Sequence, residues 1–273
     1  MQLGIFAKTF PGTDPEHVLS AVRNSGYGTT QFNLACVGLP SMPDAVAPET
    51  IATTQAASEV TGVSLAALSG TYNMAHPDKS VRERGLKQLG VVIETAASLQ
   101  IPLVTLCTGS RHVQDQWMHH PDNALPSAWA DMAAEMEKAL GLAEQHGIDL
   151  GIEPEQANIV TSAADAVRLI TEMGSKRLRI VLDPANLFER ATPAEVSDII
   201  ARAIELSAGH LAMAHAKDRH ADGSFATAGQ GIVDFPAFID GLRAAGFNGA
   251  LVTHGLAAEE APAVARFLTD LTR

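Results

Sequence analysis

Eight short apolar runs, each followed by a helical stretch, constrain this chain more than any other feature. The runs are LGIF (3–6), TTQFNLA (29–35), VSLAALSG (63–70), PLVTLCTG (102–109), IDLGIE (148–153), LRIVLD (178–183), LAMAHA (211–216) and GALVTH (249–254). Each is too short for a helix and is bounded by Gly, Pro or polar residues, so each reads as a buried strand. Helix signals fill the gaps. Asp14 and Ser162 stand at N-cap positions, Pro15 follows at the first helical position, and Thr192-Pro193-Ala194-Glu195 forms a capping box. Gly26, Gly62, Gly147 and Gly174 mark helix ends. Leu86, Leu89, Ile93 and Ala96 draw an apolar stripe on one face of the helix before the fourth strand, and further helices are expected near 236–245 and 258–271.

Strands alternating with helices imply parallel pairing and right-handed crossovers. Eight such units in 273 residues match a single (β/α)8, or TIM, barrel, which typically needs about 250 residues. A doubly wound open sheet is the alternative. No linker or shift in composition interrupts the chain, so residues 1–273 are expected to form one domain. An apolar fraction of 46% supplies a core for it.

A net charge of −12 argues against a nucleic-acid partner, which would need clustered Lys and Arg. No apolar run is long enough to span a bilayer, and the N-terminus carries no signal-peptide core. Two cysteines, Cys36 and Cys107, make no disulfide framework. A soluble cytoplasmic protein acting on a small molecule is the expectation.

In a barrel, the loops after the strands build the functional face. The last four strands end in residues able to hold a metal: Glu153, Asp183, His215 and His254. Strand alternation puts each on the face of the residue two before it, Gly151, Val181, Met213 and Val252 respectively. If that face lines the barrel, the four converge at its mouth. Mixed carboxylate and imidazole donors suit one divalent ion, Mn2+ first, with Zn2+, Co2+ or Mg2+ as alternatives.

The segments IEPE, LDPANL, HAKD, GQGIVDF and FNGALVTHG resemble those of the xylose-isomerase-like barrels, a broad family of sugar and sugar-phosphate isomerases and epimerases. The resemblance covers most of the chain and is clearest from 148 to 256. It implies a divalent metal held by Glu, Asp, His and Glu from the fifth to eighth strands, with Glu153, Asp183 and His215 in the first three places. Two positions depart from the pattern. His254 stands where the fourth ligand is usually Glu, and Asn186 stands where many relatives have His. The loss of that carboxylate bears on a two-base epimerisation.

The chemistry such a site supports is proton abstraction beside a carbonyl, giving an enediolate, with Glu153 as base and His254 as reprotonating acid. A leaving group β to that carbon would turn the same intermediate to elimination, a lyase or dehydratase outcome on a keto-sugar or cyclitol. A non-catalytic sugar-binding relative and the family's apurinic endonucleases are the other readings.

Candidate substrate contacts come from the loops: Asn73, His76, Arg111, Trp117, His120, Glu155, Asn186 and Lys217. Trp117 would offer an apolar wall to a sugar ring, and Arg111 or Lys217 would grip an anionic group. His119 reads as solvated, and His76 and His120, each before a Pro, are as well explained as loop structure. Gly229-Gln230-Gly231 lacks the third glycine and the position of a dinucleotide fingerprint, and reads as a tight turn. Barrels of this kind often self-associate, so a homo-oligomer is admitted although no residue demonstrates it.

Overall fold

The computed structural model describes residues 1–273 and forms a closed parallel barrel. Its strands are β1 (Gln2–Phe6), β2 (Thr29–Phe32), β3 (Ser64–Ser69), β4 (Leu103–Leu106), β5 (Asp149–Ile152), β6 (Leu178–Leu182), β7 (Leu211–Ala216) and, closing the ring against β1, β10 (Ala250–Thr253). The intervening β8 (Asp218–Arg219) and β9 (Phe225–Ala226) form a small antiparallel hairpin outside the barrel. The helices are α1 (Pro15–Asn24), α2 (Pro48–Thr61), α3 (Lys79–Ser98), α4 (Pro126–His146), α5 (Ala163–Met173), α6 (Pro193–Ser207), α7 (Phe235–Ala244) and α8 (Ala261–Thr272). None is long and apolar enough to cross a membrane.

The expected helix signals do their work. Asp14 accepts from the His17 amide, Ser162 from that of Asp165, and Thr192 and Glu195 cap each other reciprocally. Gly147 and Gly174 end α4 and α5 in the left-handed region, where a side chain would be strained.

Three expectations need correction. The fourth strand ends at Leu106 rather than Gly109. The second strand ends at Phe32 rather than Ala35, because Asn33 caps a single 3-10 turn over Leu34–Val37 through its Oδ1 and the Ala35 amide. The β8–β9 hairpin was not anticipated, since two-residue strands carry no periodic signal.

Alternation along each strand separates two cores. Outward residues such as Ile5, Leu68, Val104, Leu150, Ile180, Leu182 and Leu251 pack beneath the helices in the large cluster. Inward residues Ala67, Leu103, Val181, Met213, Ala250 and Val252 fill the barrel axis. Gly151 belongs to this inner layer, and a Cβ there would lie 2.8 Å from Val181 Cγ2. Its bareness makes room for the branched neighbour, as layered barrel packing requires. The inner faces of Val181, Met213 and Val252 thus point Asp183, His215 and His254 to the axis, as expected.

Candidate metal centre and active site

At the C-terminal ends of β5, β6, β7 and β10, Glu153, Asp183, His215 and His254 come together. One donor atom from each lies within 4.8 Å of all the others. His215 Nδ1 is 3.0 Å from Glu153 Oε1 and 3.9 Å from Asp183 Oδ2. His254 Nε2 is 3.0 Å from the same Asp183 oxygen, and the two imidazoles tilt against each other at 4.4 Å between centroids. The other Asp183 oxygen is taken by the Ala185 amide, which turns Oδ2 into the cluster.

Three further residues complete this side of the mouth. Lys217 Nζ donates to Asn186 Oδ1 at 2.7 Å and lies 3.4 Å from Asp183 Oδ2. Asn186 Nδ2 donates to Glu153 Oε1 at 2.8 Å. Phe225, from the unanticipated hairpin, lays its ring 4.0 Å from Lys217 Nζ and shields it. Lys217 and Asn186 therefore touch the cluster itself.

Burial and charge act against each other here. Burial disfavours the Asp183 carboxylate, yet Lys217, His254 and His215 outweigh it and hold the group well below the usual range. Glu153 is lowered in the same way, burial being overcome by His215. Burial works against a charged His215, but the Glu153 and Asp183 carboxylates raise it, whereas burial and the neighbouring His215 lower His254. Glu155 has no cation close enough to compensate. Burial pushes it to about 7, Lys217 pulls it partly back, and Glu153 and Asp183 add to the rise.

A group raised on folding favours the fold below its unfolded value and loses that advantage as pH climbs through the folded one. Glu155→Gln is therefore expected to stabilise the metal-free protein increasingly between pH 5 and pH 8, by roughly 2 kcal/mol over that range. Denaturant titration at both pH values checks it, and a gain independent of pH would contradict the assignment.

The cluster has the donor chemistry of a divalent metal centre. Metal–ligand bonds of about 2.0–2.3 Å put opposed ligand atoms somewhat over 4 Å apart, so the four donors need to move little to close on one ion. Two carboxylates and two imidazoles also match a borderline cation better than Mg2+ or Ca2+.

The cluster opens into a cavity of about 440 Å³, whose walls include Phe6, Lys8, Asn33, Ser41 and Trp117. Trp117 lines it from the long loop after β4, at 48% exposure. Other loop candidates lie elsewhere. Asn73 joins two loops through Ser110 and the Ala75 amide, and His76 binds the Val113 carbonyl. Arg111 pairs with Asp131 on α4 at 2.8 Å and donates to Ala75 O. His120 caps a 3-10 turn through the Asp122 amide. These four brace the loops and do not line the cavity: each meets a partner near its own loop before it could reach the axis.

The first half of the barrel holds the residues the sequence left unnoticed. Gln31 of β2, Ser69 of β3 and Thr105 of β4 face the axis and line the same cavity. Their signal was parity: each is a polar residue on the inward face of its strand, near the C-terminal end.

A family model for the xylose isomerase-like TIM barrel matches residues 19–271. The chain belongs to that family. No curated protein sequence matches it. Among solved structures it is similar to 3-keto-D-glucoside 4-epimerase of E. coli, with a TM-score of 0.78 and 19% identity over 99% of both chains. It is similar to an L-ribulose 3-epimerase, with a TM-score of 0.77 and 19% identity over 99% of this chain and 94% of that one. D-psicose 3-epimerase of Clostridium cellulolyticum H10, solved with D-tagatose, matches over 100% of both chains at 15% identity and a TM-score of 0.76. At these identities the likeness is one of fold.

Proposed function

We propose that the protein is a divalent-metal-dependent isomerase or epimerase of a sugar or sugar-derived carbonyl compound. The observation that carries this reading is the convergence of Glu153, Asp183, His215 and His254 on one point of the barrel axis, at the floor of a polar cavity. Family membership and the sugar epimerases among its structural relatives support it.

Glu153, Asp183, His215 and His254 would hold the ion, Mn2+ first. When bound, it supplies positive charge to stabilise negative charge developing on the substrate's carbonyl and neighbouring hydroxyl oxygens. Glu153, kept ionised by its neighbours, takes the proton from the carbon beside the carbonyl, and Asn186 holds its Oε1 in place. His254, the more accessible imidazole of the pair, is either the fourth ligand or, off the ion, the acid that returns a proton to the resulting enediolate. Lys217 and Asn186 brace Asp183 and Glu153 from behind, and Trp117 supplies an apolar wall at the rim of the cavity. A substrate with a leaving group β to the acidic carbon would give elimination from the same intermediate, and product analysis separates the two outcomes.

Elemental mass spectrometry after Mn2+ loading and dialysis tests the reading. Stoichiometric metal is expected in the wild type and a clear loss in His254→Ala. The loaded enzyme is further expected to exchange one substrate C–H proton with D2O across a panel of ketoses and keto-glycosides. A wild type that keeps no metal would sink the mechanism.

A further inference from the structure

His215 has two nitrogens, and a metal needs one of them bare. Its Nδ1 faces Glu153 and Asp183, while its Nε2 points the other way, 2.8 Å from Gln31 Oε1. Gln31 is buried, as are the two hydroxyls that receive its amide hydrogens, Ser69 Oγ and Thr105 Oγ1, each at 3.1 Å. With both hydrogens committed, the amide presents its oxygen to His215. Two lone pairs do not face each other at hydrogen-bond distance, 2.8 Å, between buried groups, so Nε2 carries the proton.

We propose that Gln31 is a positioning residue that fixes His215 with Nε2 protonated and Nδ1 directed at the metal. The inference rests on the metal reading given above. Ser69 and Thr105, from two further strands, hold the amide against flipping. Nδ1 faces the Glu153 carboxylate, and the Nε2–H bond to Gln31 leaves it as the nitrogen available to an ion. Metal-bound histidines are commonly oriented by a carboxylate or carbonyl on the remote nitrogen. A neutral amide does this here without adding a third negative charge to Glu153 and Asp183. The device lies in the half of the barrel that supplies no ligand, which ties β2, β3 and β4 to the centre held by β5, β6, β7 and β10.

The test is nitrogen NMR of the His215 ring, with Zn2+ as a diamagnetic probe, alongside Zn2+ affinity by chelator competition. A slowly exchanging Nε2–H is expected in the metal-free and Zn2+-loaded wild type, with Nδ1 bearing the metal. Gln31→Met is expected to lose the slow exchange and to weaken Zn2+ binding roughly 10- to 100-fold. Gln31→Glu, which still accepts, should restore the slow exchange. A bare Nε2 in the wild type, or Gln31→Met binding Zn2+ as tightly as wild type, would overturn the proposal. If Gln31→Met does not fold, the Ser69→Ala/Thr105→Val double variant frees the amide, and unchanged exchange and affinity there would overturn it equally. A wild type that binds no Zn2+ but shows an Nε2–H lost in Gln31→Met would remove the metal reading and leave the Gln31 bond standing.

Discussion

Replacing Asp183 by Asn is expected to abolish stable metal retention and to lower turnover by roughly 10³-fold or more. Asp183 Oδ2 is the one atom approached by all three basic groups of the cluster, at 3.0 Å from His254, 3.4 Å from Lys217 and 3.9 Å from His215. Asn keeps the shape and removes the charge. The several kcal/mol that a bound ion contributes to transition-state stabilisation correspond to that loss in rate. A second effect appears without metal. Lys217 is almost wholly buried and would keep Asn186, the Phe225 ring and the more distant Glu155 carboxylate as partners. Removing one partner of a buried pair costs about 3–5 kcal/mol, so the metal-free variant should melt well below wild type at neutral pH. The effect fades with acid. Asp183 titrates below its unfolded value, so its contribution is full above that value and fades as pH falls through the folded one. The gap between the proteins should therefore narrow as pH drops. Metal content, kcat and melting temperature are the readouts, and an Asp183→Asn protein with stoichiometric metal would refute the ligand assignment.

Arg82→Met is expected to cost about 3–5 kcal/mol of stability while leaving kcat of the folded enzyme close to wild type. Arg82, on α3, is buried and donates through Nη1 to the His76 carbonyl. Its guanidinium lies 3.5 Å from Asp131 and 3.9 Å from Glu135, both on α4. Glu135 is 2% exposed, and without Arg82 its remaining cation is Lys138, 2.8 Å away at the surface. An unbalanced buried carboxylate is the costly outcome. The double variant Arg82→Met/Glu135→Gln should recover part of the loss, which separates charge imbalance from lost packing. None of these residues lines the cavity, so the effect on activity should enter through the loops they hold. Denaturant unfolding of the single and double variants decides it, and a loss under about 1 kcal/mol in the single variant would show the pair to be dispensable.

The contrast between Arg111 and Lys217 shows where residue type stops being informative. Both are cations in loops after strands, and both were candidates to grip the substrate. Arg111 is captured by Asp131 of a helix outside the barrel, whereas Lys217 turns inward to Asp183 and Asn186. Nothing near either in the chain distinguishes them, because the deciding partners are 20 and about 30 residues away. Asn73 and His76 are similar: their polar groups are consumed by carbonyls and amides of the next loop, satisfaction that burial makes obligatory.

The sequence by itself determined the barrel, its eight-fold alternation and the inward face of its last four strands. These follow from local rules: caps and glycines end helices, apolar runs make buried strands, and a two-residue period assigns each side chain to the axis or the helices. It also determined the four ligand candidates, since a strand-end residue inherits the direction of the residue two before it. The tertiary structure alone decided which loop cations reach the axis, how Glu155 comes to be buried among carboxylates, and that Gln31, Ser69 and Thr105 face the ligands from across the barrel. Closing the ring makes neighbours of residues as far apart as Gln31 and His215, and such proximity is a property of the closed fold that no local pattern encodes.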